Sequence, residues 1–267
     1  MQHEIMTHLG PVARVGTQLI CLSTVSSTND LLKAMAEEGA AEGTVLVAGE
    51  QTAGKGRLGR SFTSAAGKGI YLSALLRPEL SPEALLPLTG FVAEAMVRAV
   101  ARAAGAEARI KWVNDLILNG RKLCGILTES AFSSAGRLKY VVVGIGLNVN
   151  YDQADFPEEL RPIAGSLKME LGRSFALAPL AAAMIEELDA LYEALLSGDT
   201  DAYLAAYREH CLTLHRDVLL LQNGVTTPAC ALDVDEALGL LVRYPDGKQA
   251  LIRSGEASVR GLTGYVR

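Results

Sequence analysis

Apolar and polar residues recur along the chain with a period of two or of about four, and these periods predict strands and helices. Strands are predicted over 17–22, 44–50, 70–76, 108–112, 115–118, 122–130 and 139–148. Helices are predicted over 28–38, 88–104, 179–196 and 200–211, where apolar residues recur at helical spacing. The stretch 151–178 is predicted to be irregular. The run 139–148 is mostly apolar, which predicts a buried strand at the centre of a sheet.

After residue 211 the chain changes to short strands separated by turn residues. Strands are predicted over 216–221, 226–233, 238–244, 248–253 and 256–260, with turn signals at Asn223-Gly224 and Pro245-Asp246-Gly247. This spacing is typical of a small antiparallel barrel. The sequence therefore predicts an α+β fold, with a mixed sheet flanked by helices over 15–211 and a small β-barrel domain over 212–267.

Composition excludes several classes of protein. The 267 residues include 25 Lys and Arg against 30 Asp and Glu, a net charge of −5, which argues against binding duplex DNA by general charge. The sequence suggests no run of the roughly 20 apolar residues that a membrane helix needs, and no secretion signal. We expect a cytoplasmic protein. Four scattered cysteines and four histidines show no zinc-binding spacing.

The main chemical signal is a loop in which three glycines alternate with three cations, Gly54-Lys55-Gly56-Arg57-Leu58-Gly59-Arg60. Glycine lets the backbone approach an anion, and the cations add charge and directional donors. The spacing is neither that of a Walker A loop nor that of a dinucleotide-binding loop. Taken alone, the segment is equally well explained as a flexible basic surface loop.

Four further motifs carry weaker signals. Each has a purely structural alternative, namely a turn around a core Trp, a solvated strand end, a bulge or a helix cap. Lys122 begins an apolar strand and can present a point charge to a cleft. Gly144 and Gly146 would clear space beneath a flat ligand. The motifs are Lys111-Trp112-Val113-Asn114-Asp115-Leu116, Arg121-Lys122-Leu123-Cys124-Gly125-Ile126-Leu127, Gly144-Ile145-Gly146-Leu147-Asn148-Val149-Asn150 and Ser27-Thr28-Asn29.

Taken in their order along the chain, these motifs, together with Gln51-Thr52-Ala53 before the basic loop and Gly67-Lys68-Gly69-Ile70-Tyr71-Leu72-Ser73 after it, resemble those of the biotin protein ligases, most strongly over about residues 20–150. The family carries a biotin/lipoate ligase-type catalytic domain and a small SH3-like C-terminal barrel. The resemblance implies ATP-dependent ligation of biotin to a lysine of a biotin carboxyl carrier protein through biotinyl-5′-AMP. Two positions depart from the family pattern: Lys55 replaces the usual Arg, and Val113 replaces a Pro.

The resemblance also implies roles residue by residue. Catalytic roles are implied for Arg57, Lys122 and Asp115. Contacts with biotin are implied for Ser27, Thr28, Asn29, Gln51, Lys55, Gly56, Arg57, Lys122, Gly144 and Gly146. Contacts with ATP or the adenylate are implied for Lys55, Arg57, Arg60, Lys111, Trp112, Asn114 and Asn148. No metal held by the protein alone is implied, since Mg²⁺ would enter with ATP, near Asp115.

The expected partner is the biotin carboxyl carrier protein of acetyl-CoA carboxylase or of a related biotin-dependent enzyme. Only 26 residues precede Ser27, so we expect no DNA-binding domain and no repressor function. Neither DNA nor a membrane is expected as a partner, and the oligomeric state is open, a homodimer included. Two alternatives are retained: a lipoate or octanoate ligase or transferase of the same fold, and a biotin sensor that binds without catalysis.

Overall fold

The structure, a computed structural model, describes residues 1–222, 224–253 and 258–261. Its helices in chain order, α1 to α6, are Gln2–His8, Thr28–Glu37, Leu88–Ala104, Leu167–Leu171, Leu177–Ser197 and Asp201–His210. Strands β1 to β7 are Gln18–Val25, Thr44–Gln51, Gly69–Leu76, Arg109–Lys111, Asp115–Leu118, Arg121–Phe132 and Leu138–Asn148. Strands β8 to β12 are Arg216–Gln222, Val225–Val234, Leu240–Arg243, Gln249–Ile252 and Ser258–Gly261.

The first seven strands form one mixed sheet in the order β1-β2-β3-β7-β6-β5-β4. Only β1 and β2 pair in parallel, and the other recorded pairs in this sheet are antiparallel. The predicted central position of β7 is confirmed, since three strands lie on either side of it. The α+β class is likewise confirmed, because helices cover both faces of this sheet.

Side chains of the central strands alternate between two cores. On β7, Val141, Val143 and Ile145 belong to the large core that also contains α3 and α5. Tyr140 and Val142 point to the opposite face and pack against α2. The period of two therefore places α2 on one face of the sheet and α3 and α5 on the other.

The second sheet is antiparallel, in the order β11-β10-β9-β8-β12. It packs against the first part of the chain: the Trp112 indole Nε1 donates to the Leu238 carbonyl at 2.8 Å, and Leu220 and Val242 join the large core. The predicted boundary between residues 211 and 212 stays a prediction. The turn residue Asn223 and residues 256–257 of the last predicted strand lie outside the described residues.

Two details differ from expectation. The stretch predicted as irregular contains α4, which Ser166 caps by accepting a hydrogen bond from the Met169 amide. Its five residues are too few to show a periodic pattern. The segment Glu83–Ala104 also reaches the length and apolar composition of a membrane helix, although no such segment was expected. Of its most apolar window, 67% is buried inside the protein, as befits a core helix.

A buried carboxylate fixes the segment before β1. Asp189 on α5 accepts hydrogen bonds from the backbone amides of Ala13, Arg14 and Val15 at 2.7–2.8 Å. An Asp189→Ala variant should lose about 3 kcal/mol of unfolding free energy, because it removes three hydrogen bonds to a carboxylate and leaves the buried Val15 amide without its acceptor. Glu193→Ala, on the same helix, removes an exposed partner of Arg14 and should cost much less. Equal midpoints in urea denaturation for the two variants would contradict this account.

Candidate active site

The face of the sheet that α2 covers changes character toward one end. Next to α2 it is apolar, with Leu75 and Val142. Two residues further along β3 and β7, Ser73 pairs with Gly144, and Tyr71 then pairs with Gly146. Side chains two residues apart share a face, so small and polar residues here replace the apolar ones. The result is a cleft between the sheet, the start of α2 and the loop 52–68.

The start of α2 supplies a neutral, hydrogen-bonding wall. Ser27 caps the helix by accepting from the Asp30 amide. Gln51, at the end of β2, accepts from both the backbone amide and the hydroxyl of Thr28, at 2.8 and 3.0 Å. The same Gln51 donates through Nε2 to the Ser64 hydroxyl at 2.9 Å. These bonds hold the wall and the loop in one arrangement.

Asn29 is fixed by residues that the sequence analysis missed. Its Oδ1 accepts from Ser73 at 2.6 Å, and its Nδ2 donates to Glu129 at 2.8 Å. Glu129 is also paired with Lys33 at 2.6 Å. Ser73 and Glu129 lie on β3 and β6, far from Asn29 in sequence. Alternation on those strands was the one available signal, since it places both residues on the face of α2.

Two cations of the loop bond to a carboxylate and a side-chain amide outside it. Lys55 pairs with Asp30 on α2 at 2.6 Å, and Arg57 donates to Asn114 Oδ1 at 2.8 Å. Partial burial alone would raise the pKa of Asp30, but hydrogen bonds from Lys55 and Lys33 outweigh it and hold that pKa below its ordinary value. Burial lowers the pKa of Arg57, although Asp115 acts in the opposite direction.

Lys122 and Asp115 form an ion pair on adjacent strands, with 2.7 Å between Nζ and Oδ1. Their side chains are 27% and 14% exposed. The pairing follows from the hairpin β5–β6, which brings the Asp-containing motif beside the Lys-containing motif. The Lys122 side chain thus lines the cleft. The alternative, a strand end whose lysine is simply solvated, does not fit this position.

The cleft measures about 470 Å³, counting space open to solvent. The predicted residues that line it are Ser27, Thr28, Asn29, Gln51, Lys55, Gly56, Arg57, Asn114, Lys122, Gly144 and Gly146. The lining residues not predicted are Phe62, Gly125, Ile126, Leu127 and Ile145. Residues separated by more than 100 positions therefore meet in one place.

Four predicted adenylate contacts do not line this cleft. Arg60 is exposed on the loop, and Lys111 and Trp112 are buried beneath the second sheet and α6. The Asn148 amide donates to the Gly165 carbonyl. For Trp112, the core-anchor alternative agrees with its position. Their contacts with ATP or the adenylate were implied by the family resemblance, and these contacts stay predictions.

Two glycines make the floor of the cleft. A Cβ atom on Gly144 would lie 2.1 Å from Asn29 Oδ1, and one on Gly146 would lie 2.4 Å from the Phe62 ring. Both distances are well below van der Waals contact. The absence of side chains at these positions is thus what allows α2 and the loop to approach the sheet.

Within the described ranges, no three His, Cys, Asp or Glu side chains gather in a way that could hold a metal ion. The predicted catalytic residue Asp115 does not itself line the cleft, but its carboxylate is bonded to Lys122, which does. Oxygen donors of this kind suit Mg²⁺, which is commonly bound by one or two carboxylates together with substrate phosphates.

Comparison with known proteins places the fold and site in one class. Residues 21–148 match the biotin/lipoate A/B protein ligase family. The biotin–[acetyl-CoA-carboxylase] ligase of Mycobacterium tuberculosis is 34% identical over 250 residues, which cover 90% of this chain and 88% of that protein. The chain belongs to this family and, within it, to the biotin protein ligases, which confirms the resemblance.

Two other matches define the extent of the similarity. A solved structure, the biotin protein ligase from Aquifex aeolicus in complex with biotin and ATP, superposes with a TM-score of 0.78 at 28% identity, covering 92% of this chain and 99% of that one. The bifunctional ligase/repressor BirA of Bacillus subtilis is 42% identical over 158 residues, 59% of this chain. The chain thus matches about half, 48%, of that relative's length.

The glycine floor gives a direct structural prediction. Gly144→Ala should displace the Asn29 amide and lower the unfolding free energy by about 1–3 kcal/mol, the usual cost of overpacking. Gly56→Ala is the matched control, because its Cβ would meet no atom closer than 3.4 Å. Calorimetric unfolding of both variants tests this. A Gly144→Ala protein as stable as Gly56→Ala would show that the floor has room for a side chain.

Proposed function

We propose that this protein joins biotin to a lysine of a biotin carboxyl carrier protein, using ATP and passing through biotinyl-5′-AMP. The observation that carries the proposal is the meeting, in one cleft, of a neutral polar wall at the start of α2 with two cations, Arg57 and Lys122. The polar wall suits an uncharged ring with hydrogen-bonding groups, and the two cations suit a carboxylate and a phosphate.

The first step brings like charges together. A carboxylate oxygen of biotin attacks the α-phosphorus of ATP, the bond to the leaving pyrophosphate breaks, and an acyl-phosphate bond forms. Arg57 and Lys122 offset the repulsion between the two anions, and their effect is greatest where charge accumulates in the transition state. Lys122 is held by Asp115 and Arg57 by Asn114, so both cations are oriented in advance.

In the second step the amine of the carrier lysine attacks the acyl carbon and AMP leaves, while the amine releases a proton. No nucleophile of the enzyme itself is required, in keeping with the uncharged, protonated state of the nearby cysteine. Burial raises the pKa of Cys124 well above its ordinary value, so its thiol is unreactive. The loop that carries Arg57 would shield the reactive acyl-adenylate from water.

The polar wall argues for biotin over lipoate. The ureido ring of biotin carries two N–H donors and a carbonyl acceptor, whereas the dithiolane ring of lipoate has none. The Ser27 hydroxyl, which accepts from the Asp30 amide, still has a proton to donate to a carbonyl such as that of the ureido ring, and the dithiolane ring offers no such acceptor. Mg²⁺ would arrive with ATP, and Asp115 is the carboxylate placed to meet it. The cytoplasmic location and a homodimer stay predictions.

Pyrophosphate release tests the proposal. The protein should release pyrophosphate from MgATP when biotin is added, even without a carrier protein, and a carrier domain should gain one biotinyl group by mass spectrometry. Release stimulated by lipoate or octanoate but not by biotin would favour the related ligases. Binding of biotin and ATP with no release would favour a sensor.

Lys122→Ala should slow adenylation about 100- to 1,000-fold, because it removes a preorganised cation and leaves Asp115 as an uncompensated charge. Lys168→Ala is the control: it has a similar exposure and an ion pair, with Asp152 at 2.6 Å, but does not line the cleft. Pre-steady-state measurement of adenylate formation gives both rates. Equal rates for the two variants would remove Lys122 from the chemistry.

A further inference from the structure

A pair of buried tyrosines lies behind the cleft and is not used by the reaction described above. Tyr71 on β3 and Tyr151 just after β7 are both fully buried. Their hydroxyl oxygens are 2.6 Å apart. Burial raises the pKa of each phenol, so both stay protonated. We call these two side chains the hydroxyl pair.

The hydroxyl pair is bonded to the loop and not to the sheet. The Ala65 amide donates to the Tyr151 hydroxyl at 2.7 Å, and the Tyr71 hydroxyl donates to the Ala65 carbonyl at 2.9 Å. If Tyr151 donates to Tyr71, the four groups form one closed chain that starts and ends on Ala65. The Thr63 carbonyl, 3.1 Å from the Tyr151 hydroxyl, is the alternative acceptor for the single Tyr151 proton. Two side chains therefore satisfy both backbone groups of one loop residue.

This anchor is one residue from the wall of the cleft. Ser64 precedes Ala65, accepts from Gln51 and donates to the Phe62 carbonyl at 3.0 Å. Gln51 in turn holds Thr28, and the Phe62 ring lies on Gly146. A shift at Ala65 would thus reach Phe62 and Thr28 through bonded neighbours.

Outside itself, the tip of the loop bonds through the ion pair of Lys55 with Asp30 and one hydrogen bond from Arg57 to Asn114. Lys55 and Asp30 are 47% and 36% exposed, so their ion pair is weakened by water and salt. The hydroxyl pair, by contrast, works in a dry environment where hydrogen bonds are strong and unsatisfied groups costly. The returning limb of the loop, residues 62–65, is therefore held far more firmly than its tip.

We propose that Tyr71 and Tyr151 are positioning residues that fix the returning limb of the loop, and through it the Phe62 and Gln51 wall of the cleft. The proposal rests on the proposed function for its catalytic consequence, which is retention of the acyl-adenylate. Its structural part, the anchoring of residues 62–65, stands independently of the reaction.

The test uses Tyr151→Phe and Tyr71→Phe in the full chain. Each variant keeps its ring, and the Tyr151 ring stays stacked on Phe156 at 4.6 Å between centroids, so folding should survive. Tyr192→Phe is the matched control: it is equally buried, but its hydroxyl bonds to Glu42. The readouts are amide hydrogen exchange of the ligand-free protein and the rate at which preformed biotinyl-5′-AMP leaves the enzyme.

Exchange over residues 62–65 should rise about five- to tenfold in both loop variants, the effect of losing one net hydrogen bond, and should stay unchanged in the control. Adenylate release should rise by a similar factor. The double variant should resemble the worse single variant, because one chain of bonds is broken in each case.

Unchanged exchange over 62–65, or a rise equal to that in Tyr192→Phe, would overturn the anchor. Faster exchange with unchanged adenylate release would show that the anchor does not position the cleft. If the wild-type protein makes no adenylate from biotin, the proposed function fails, and the exchange measurement still decides whether the hydroxyl pair anchors the loop.

Discussion

The strict alternation of side chains on β3, β6 and β7 is the constraint on which the rest of the structure depends. One set of positions must stay apolar because α3 and α5 bury it in the large core. The positions on the other face are apolar beside α2, with Leu75 and Val142. Further along the same strands they are small or polar, with Ser73, Gly144 and Gly146. The core and the cleft are thus two faces of the same strands. A shift in register by one residue would exchange them and destroy both.

The site is assembled from pairs that neutralise its own charges. Lys122 is bonded to Asp115, Lys55 to Asp30, and Glu129 to both Lys33 and Asn29. Such pairing makes it tolerable to hold several charges in a partly buried cleft of an acidic protein. It also means that an anionic ligand has to compete with Asp115 for Lys122. Affinity for such a ligand is therefore reduced, while the orientation of the cation is settled beforehand.

Local patterns predicted the elements well because helix and strand periods are set by neighbouring residues. The helix predicted over 28–38 is α2, Thr28–Glu37, and the run 139–148 identified the central strand. The site was predicted less completely. Trp112 follows β4, and its indole bonds to the Leu238 carbonyl and does not line the cleft, so the adenylate contact that the resemblance implied for it stays a prediction. Ser73 and Glu129 were missed because their contacts with Asn29 join distant strands, and such contacts follow from register, which no local pattern contains.

The loop 52–68 is firmly hydrogen-bonded at both ends and more weakly attached at its tip. Its first residues bond to the end of β1, through Thr52 and Ala53, and its last residue, Lys68, accepts from Val149 and Asn150. Between these ends, the tip is held by an exposed ion pair and by one hydrogen bond from Arg57 to Asn114. The weakest attachments thus involve the two cations that an anionic ligand would attract. A ligand that takes over these cations would exchange weak contacts for stronger ones, without disturbing the polar wall at the start of α2.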